Sequence, residues 1–560
     1  MLFFQCFLIE KNSGNLEMKK ENKKFKSFLK TYWIEIILLF ITPIIVSFYG
    51  INKFPILKDL GFFSYIGQEF LRGYPIYSTV YINYSPLVAM FFAFSMSFFN
   101  FLPQYLSIRL FMLIVTSLMI LIFYKVVLKI FNDKIISTLS ALILISFTFF
   151  IELTLLGDSK TLALFFCFFT FVLFFRENYF LSGISASFCF LFYQPIGLFL
   201  LAPLIFIFLG DDKRRVKIEK FGKILLGFFI PLILLIIYFF FYGSVMDFIN
   251  FHVLYAIKYE KTSIAARALW APFNILGYYS SEFFFLLLGL IGFIYTVYKI
   301  TKKQFLKIFC KNKYLTSFAL PFFLLSLFVI KFFDDGSDII VLLPAISVLA
   351  AFTLRKIQVR STKIISNRTH TPKRKINKIT ILILILIVCS YGFFPALQPV
   401  YPENPIIRNR DKFVGKSSPI ELILNVQREF GVLNSLLLFL FHRKGEQITI
   451  EHQLELAKII QNNTNENEKI LSLSSPEILF LSKRRNLNPY PLFVRDIYNI
   501  CRDRGDIAKT SEEIKKYKPK FILANEKQFI EKLELTEFIE KNYEKMPFIY
   551  YTVYRLIQKG

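Results

Sequence analysis

Two carboxylates in this sequence stand where an acid could do chemistry at a membrane surface. Asp59 follows the first long apolar run and opens a stretch, 59–72, with apolar residues at helical spacing. That spacing predicts an amphipathic helix on the outer surface, with Glu69 and Arg72 on its solvated face. A carboxylate held at the end of such a helix can act as a general base on a hydroxyl group. Alternatively, Asp59 caps the helix by accepting backbone N–H bonds.

The second acidic site lies between two later apolar runs. Glu152 falls inside an apolar run, and Asp158 occupies the tight turn that follows it. An acid inside a membrane helix costs at least about 2.5 kcal/mol, so such residues tend to be functional. Near the end of its span, however, Glu152 could instead pair with Lys160. Asp59 and Asp158 could share a divalent ion such as Mg²⁺ or Mn²⁺, or they could divide base and binding roles between them.

A third candidate feature is the polar loop 243–281. It carries Lys258 and Arg267 among tyrosines and a tryptophan. Cations beside aromatic rings suit the phosphate head group of a lipid-linked substrate. Contact with anionic membrane lipids is an equal alternative.

The composition shows what must position these residues. Hydrophobic residues make up 55% of the 560, charged residues only 19%, and the mean hydropathy is +0.51, which excludes a soluble multidomain enzyme. The net charge of +27 is spread over short basic blocks between apolar runs. This pattern marks cytoplasmic loops and gives no reason to expect nucleic acid as a partner. Six scattered cysteines without a CxxC pair predict neither a disulfide framework nor a zinc site.

The apolar runs predict an all-α polytopic bundle with about 11 spans. The segment 85–102 is apolar enough to cross, but a crossing there would place the later basic blocks outside, so we interpret it as interfacial or re-entrant. The N-terminus is then cytoplasmic, and the loops 52–103 and 243–281 face outward. The predicted spans are 33–51, 104–124, 135–156, 161–175, 180–194, 195–209, 222–242, 282–299, 314–331, 339–354 and 380–397.

Three domains follow from this layout. Residues 1–32 form a basic cytoplasmic N-terminus, 33–397 the membrane domain, and 398–560 a soluble extracytoplasmic α/β domain. In the last of these, the pattern predicts strands over 469–474, 520–524 and 548–556, the first two each followed by a helix. We therefore expect a multi-pass protein of the cell membrane.

The residues around both acids resemble a known group of enzymes. The stretch from Asp59 to Tyr77, followed by Tyr84-Ser-Pro-Leu, is similar to the first outer loop of GT-C glycosyltransferases. The closest resemblance is to the family 39/83-like group, which includes dolichyl-phosphate-mannose–protein mannosyltransferases and lipid A aminoarabinose transferases. Later motifs fit the same pattern, namely Gly157-Asp158, Tyr193-Gln194-Pro195 and the "Leu-Pro-Ala" sequence at 343–345.

This resemblance implies transfer of a sugar from a polyprenyl-phosphate donor to a lipid, glycan or protein acceptor, with inversion at the anomeric carbon. Asp59 would be the catalytic base and Asp158 the second acidic residue. Basic residues that relatives carry before two prolines are absent here, which leaves the phosphate site to other side chains. A transporter or flippase is the alternative, but it would place polar residues near the bilayer midplane. The residues assigned to substrate or phosphate are Tyr65, Tyr84, Tyr193, Gln194, Lys258 and Arg267.

Overall fold

A computed structural model of the chain describes its helical bundle in part and most of a C-terminal α/β unit. The described residues are 40, 43–44, 55–56, 58–77, 79–82, 85–147, 150, 154, 157–209, 212–254, 283–299, 340–369, 449–492, 498, 501–502, 505–525, 527–548 and 550–557.

Among the described residues before 370, the regular elements are helices. These helices are α1 (Lys58–Leu71), α2 (Pro86–Phe98), α3 (Gln104–Phe131), α4 (Lys134–Ser146), α5 (Ser159–Phe175), α6 (Tyr179–Phe192), α7 (Leu201–Leu209), α8 (Arg214–Phe241), α9 (Val245–Phe248), α10 (Phe283–Lys299) and α11 (Leu343–Thr369). A 3₁₀ helix (Gln194–Leu200) precedes α7, and a π-helix (Ile249–Leu254) follows α9.

Two of these helices, α3 and α8, are long and apolar enough to cross a membrane by length and composition. They differ in their surroundings, because 72% of the apolar window of α3 is buried inside the protein and only 28% of that of α8. Phe240 and Phe241 at the end of α8 are 71% and 79% exposed. A long helix that presents such side chains outward suits contact with lipid.

The predicted spans agree with the helices in most places that the structure describes. The run 180–209 is interrupted at Gln194-Pro195 as predicted, with α6 ending at Phe192. The prediction of one helix over 135–156 is wrong, because Phe147 is extended and ends α4. The segment 85–102 forms the 13-residue α2, and its interfacial placement stays a prediction. The spans 314–331 and 380–397, and nearly all of 33–51, lie outside the described residues.

Two basic blocks that we interpreted as loops are helical. α8 begins at Arg214, inside the block 213–223, and α11 continues through 355–369. Lysine and arginine are good helix formers, and their long stems let the charged groups reach water from a helix end. A basic block therefore does not by itself mark where a helix stops.

Residues 449–557 form an α/β unit around a five-stranded sheet of order β2-β1-β3-β5-β4. β1 is parallel to β2 and β3, whereas β5 is antiparallel to β3 and β4. The three predicted strands are confirmed with shorter bounds as β1, β3 and β5, whereas β2 and β4 were not predicted. The strands are β1 (Lys469–Ser472), β2 (Arg485–Asn486), β3 (Phe521–Leu523), β4 (Tyr543–Met546) and β5 (Val553–Leu556); the helices are α12 (Ile450–Asn463), α13 (Pro476–Ser482), α14 (Asp506–Tyr517), α15 (Lys527–Lys532) and α16 (Thr536–Asn542).

The helix α1 connects the bundle with this α/β unit. It packs against α2 on one side and against α13 on the other. Every residue from Leu60 to Glu69 is buried. The helix predicted over 59–72 is therefore confirmed, but the prediction that it lies on a surface is wrong. Its polar side chains meet partners in the C-terminal unit, which the local spacing of residues does not reveal.

Candidate active site

Asp59 lies in the first turn of α1 and is exposed, although its neighbours on the helix are buried. The helix begins at Lys58, so Asp59 is one residue inside it. A negative charge in this position interacts favourably with the positive end of the helix dipole. The carboxylate is thus held on a fixed element and remains accessible to a reactant, as a general base requires.

Asp158 caps the N-terminus of α5. It has an extended backbone, and its Oδ1 accepts a hydrogen bond from the Lys160 N–H at 2.8 Å. The preceding Gly157 has a φ of +74°, a left-handed conformation that glycine adopts without strain. The turn that presents the second acid is therefore fixed by these two residues together.

The two acidic loops meet in the structure. A Cβ atom added to Gly157 would lie 2.9 Å from Leu60 Cδ1 and 2.6 Å from Phe92 Cζ. Leu60 directly follows Asp59, and Gly157 directly precedes Asp158. Backbone of the second acidic loop thus touches the first turn of α1, with the α2 ring of Phe92 beside both. The prediction that the topology brings these loops together agrees with this contact.

Lys160 places a positive charge at the same point. Its Nζ lies 3.6 Å from Asp158 Oδ2, and both side chains are only 12% exposed. The ammonium group also lies 5.6 Å from the centre of the Tyr193 ring. The lysine therefore joins the second acidic loop to the corner at the end of α6, and its partner is Asp158 in this part of the chain. Glu152, the partner considered from the sequence, lies outside the described residues.

The turn after α6 is hydrogen-bonded to the start of α2 and to the π-helix that contains His252. Ser85 Oγ, which caps α2, donates a short hydrogen bond to the Leu191 carbonyl. Gln194 Nε2 donates to the His252 carbonyl at 2.8 Å and lies 2.8 Å from His252 Nδ1. Burial lowers the pKa of His252 to about 4, so its ring is neutral at pH 7. Ser85-Pro86 and Tyr193-Gln194-Pro195 therefore come together although they lie more than a hundred residues apart.

The donor set described here does not fit a divalent metal ion at Asp158. Among the described residues, no group of three or more His, Cys, Asp or Glu side chains is close enough to hold a metal. One oxygen of Asp158 caps α5, and the other faces the Lys160 ammonium, which would repel a cation. We therefore derive no catalytic step through Mg²⁺ or Mn²⁺.

The remaining predicted residues have mixed outcomes. Tyr65 is 1% exposed, and its hydroxyl accepts a hydrogen bond from the Asn486 N–H at 2.8 Å. Burial, with help from the charge of Glu69, raises the pKa of Tyr65 well above its usual value. A substrate role for this hydroxyl stays a prediction. Tyr84, Lys258 and Arg267 lie outside the described residues.

Charged residues that the sequence interpretation missed cluster around α1. Glu69 is 1% exposed, not solvated, and its carboxylate pairs with Arg72 at 2.6 Å and with Arg485 at 3.1 Å. Arg485 also lies over the Tyr74 ring, 3.7 Å from its centre. Arg109 of α3 is 1% exposed and donates to the Pro55 carbonyl at 3.1 Å. An arginine inside an apolar run was the one signal in the sequence that could have pointed to Arg109.

Comparisons with known proteins agree with the helical fold and include the stretch from Ser85-Pro86 to Tyr193-Gln194-Pro195. Residues 83–239 match the family model described as dolichyl-phosphate-mannose-protein mannosyltransferase. A search of curated proteins by sequence gives no match. The chain is similar to the crystal structure of ArnT from Cupriavidus metallidurans bound to undecaprenyl phosphate, with a TM-score of 0.54, 12% identity and coverage of 94% of this chain and 99% of that chain.

Two more distant likenesses are to Archaeoglobus fulgidus oligosaccharyltransferase in the apo form and to AglB from the same organism with an inhibitory peptide and a dolichol-phosphate. Each has a TM-score of 0.47 and 12% identity and covers 95% of this chain, with 76% and 75% of the other chain. These values are too low to support a conclusion. The family match over residues 83–239 and the similarity to the ArnT fold agree with the resemblance to GT-C glycosyltransferases that the sequence indicates.

Proposed function

We propose that the protein transfers a sugar from a polyprenyl-phosphate-linked donor to a hydroxyl-bearing lipid, glycan or protein acceptor at the outer face of the membrane. The donor class is supported by the family description, which names dolichyl-phosphate-mannose, and by the undecaprenyl phosphate bound to the similar ArnT. The outer face is supported by the basic blocks, which favour a cytoplasmic position for the opposite ends of the helices.

The observation that carries this proposal is the contact between the two acidic loops. Gly157 packs on Leu60, so Asp59 and Asp158 belong to one local structure. An acceptor hydroxyl and a donor phosphate must be held close together for a direct transfer. A rigid helix end and a capped turn that touch each other satisfy this need better than two independent loops.

The two carboxylates have different surroundings, which favours different roles. Asp59 is exposed, so a reactant can approach it. Asp158 is 12% exposed in its side chain, with one oxygen on a backbone N–H and the other near Lys160. We therefore assign the role of general base to Asp59. To Asp158 we assign the role of positioning the Lys160 ammonium group.

In the proposed reaction, Asp59 takes the proton of the acceptor hydroxyl while its oxygen attacks the anomeric carbon. A new C–O bond forms, the bond from the anomeric carbon to the phosphate oxygen breaks, and polyprenyl phosphate leaves with the electron pair. A single displacement of this kind inverts the anomeric configuration. The Lys160 ammonium, 5.6 Å above the Tyr193 ring, is placed to offset the charge of the leaving phosphate.

The test is transfer from a radiolabelled polyprenyl-phosphate-sugar pool in membranes that contain the wild type or Asp59→Asn. Asp212→Asn is the matched control. It makes the same chemical change at a carboxylate just before α8, which pairs with Lys220 on that helix. At equal protein abundance, we expect a labelled product from the wild type and Asp212→Asn and a loss of at least about 100-fold with Asp59→Asn. Equal product from all three proteins would refute the assignment of the base.

A further inference from the structure

The short connection that leads into α1 has no regular secondary structure, yet it is buried. Pro55 and Ile56 precede the helix and are both buried. Buried backbone N–H and C=O groups need partners, and here neither a helix nor a sheet supplies them. The partners of these two residues therefore reveal what fixes the start of the Asp59 helix.

A single glutamine from the C-terminal unit satisfies both polar groups of Ile56. Gln453 Oε1 accepts from the Ile56 N–H at 2.7 Å, and its Nε2 donates to the Ile56 carbonyl at 2.9 Å. This pairing connects residues 397 positions apart and lies three residues before Asp59. The glutamine side chain thus binds the N–H and the carbonyl of one residue, as a residue of an adjacent β-strand would.

Gln453 is itself held in place. It lies on α12, is 2% exposed, and donates a further hydrogen bond from Nε2 to the Tyr551 hydroxyl at 2.9 Å. Tyr551 is 6% exposed. On the other side of the connection, Arg109 of the bundle binds the Pro55 carbonyl. The connection is thus held between the bundle and the α/β unit.

The same unit also holds α1 along its length. A Cβ atom on Gly61 would lie 2.5 Å from the Glu477 backbone, so α13 touches the first turn of α1 directly. Tyr65 binds Asn486, and Glu69 pairs with Arg485 near the C-terminal end. Before the first turn, Gln453 holds both backbone polar groups of Ile56, and Arg109 holds the Pro55 carbonyl beside it.

We propose that Gln453 is a positioning residue for Asp59: it fixes the backbone of Ile56 and thereby the direction of the Asp59 carboxylate. This inference rests on the proposed role of Asp59 as the base. It also gives the C-terminal unit a part in the transfer step. A displacement of about 1 Å at a reacting group can reduce a rate by up to about 100-fold.

The experiment compares Gln453→Ala with Gln461→Ala. Gln461 lies on the same helix, and its Nε2 donates to the carbonyls of Leu481 and Ser482 within the α/β unit, at 3.3 Å each. Both substitutions therefore remove a hydrogen-bonded amide from α12, that of Gln453 buried and that of Gln461 half-buried, but only Gln453→Ala releases the entry into α1. The readouts are the thermal unfolding midpoint in detergent, the shift of that midpoint on adding undecaprenyl phosphate, and transfer from the radiolabelled polyprenyl-phosphate-sugar pool.

We expect Gln453→Ala to keep the shift caused by undecaprenyl phosphate and to lose about 10- to 100-fold of transfer, whereas Gln461→Ala retains transfer within about twofold. If Gln453→Ala does not accumulate in membranes, Tyr551→Phe removes the hydroxyl that binds Gln453 and also interacts with Glu477 of α13, and it should give a smaller loss of the same kind. Equal transfer by the Gln453 and Gln461 variants, or by Tyr551→Phe and the wild type in that second case, would overturn the inference. An active Asp59→Asn would overturn the base assignment as well, so the two failures are distinguishable.

Discussion

The contact between the two acidic loops can be tested by adding one carbon atom. In Gly157→Ala, the new Cβ would lie 2.6 Å from Phe92 Cζ and 2.9 Å from Leu60 Cδ1. Ordinary contact between carbon atoms is about 3.5 Å, so the Phe92 ring and the Leu60 side chain must shift by up to about 1 Å. A left-handed φ costs an L-residue about 1–2 kcal/mol, and overpacking costs a further 1–3 kcal/mol, approximately.

Gly243→Ala separates these two costs. Gly243 has a φ of +63°, close to the +74° of Gly157, but nothing lies within 4 Å of its added Cβ. Both variants therefore carry the backbone strain, and only Gly157→Ala carries the clash at the acidic loops. The excess destabilisation of Gly157→Ala is expected to be about 1–3 kcal/mol.

Two measurements check this prediction. Thermal unfolding in detergent should give a lower midpoint for Gly157→Ala than for Gly243→Ala, and transfer at equal abundance should fall about tenfold or more only in the former. The double variant Gly157→Ala/Phe92→Leu removes the ring atom nearest the added carbon and should recover part of the lost transfer. If Gly157→Ala matches Gly243→Ala in both midpoint and transfer, the loops do not meet as the structure describes.

Three further perturbations test other parts of the structure. An added Cβ at Gly227 would meet the Phe180 carbonyl, whereas nothing lies within 4 Å of an added Cβ at Gly222 on the same helix. Both alanines raise the helix propensity by the same amount, so only the clash distinguishes the two variants. Gly227→Ala should therefore lower the thermal midpoint, and Gly222→Ala should not. Lys160→Gln removes the cation beside Tyr193 and should reduce transfer about tenfold, whereas Lys160→Arg keeps the charge and most of the activity; unchanged transfer by Lys160→Gln would refute this role. Burial lowers the pKa of His252 from its ordinary 6.5 to about 4, so between pH 7 and 5 only the unfolded chain takes up the proton, and the free energy of unfolding should fall by up to about 2 kcal/mol. The non-titrating His252→Asn should have a smaller decrease of the thermal midpoint over the same pH range.

Much of the helical bundle is predictable from the sequence because its signal is local. Long apolar runs such as 222–242 identify α8, and Gln194-Pro195 marks the break after α6, since proline removes a helical hydrogen bond. Helix ends were less predictable. The basic block 213–223 is polar enough to suggest a loop, yet lysine and arginine extend α8 through it.

The residues of the candidate site also differ in whether a local sequence pattern identifies them. Asp59 and Asp158 are recognisable because an acid at the end of an apolar run is unusual, and the even number of crossings predicted between them puts both on the same face of the membrane. The surroundings of α1 are different. Its phenylalanines suggested a helix on a membrane surface, but its polar residues bind partners 412 to 421 positions away, such as the Phe480 carbonyl and Asn486. No local pattern encodes a partner at that separation.

The burial of Glu69 shows how far these contacts change the meaning of a residue. On a surface helix, Glu69 and Arg72 would form an exposed pair worth little to stability. In the structure, Arg485 reaches the same carboxylate and covers the Tyr74 ring, so removal of one arginine would leave a carboxylate that is 1% exposed with a single partner. Loss of part of a buried ionic group costs more than the group contributes when intact. The helix that carries Asp59 therefore depends on the C-terminal unit for its polar partners and for its burial. We expect the membrane domain not to keep this helix in place without that unit.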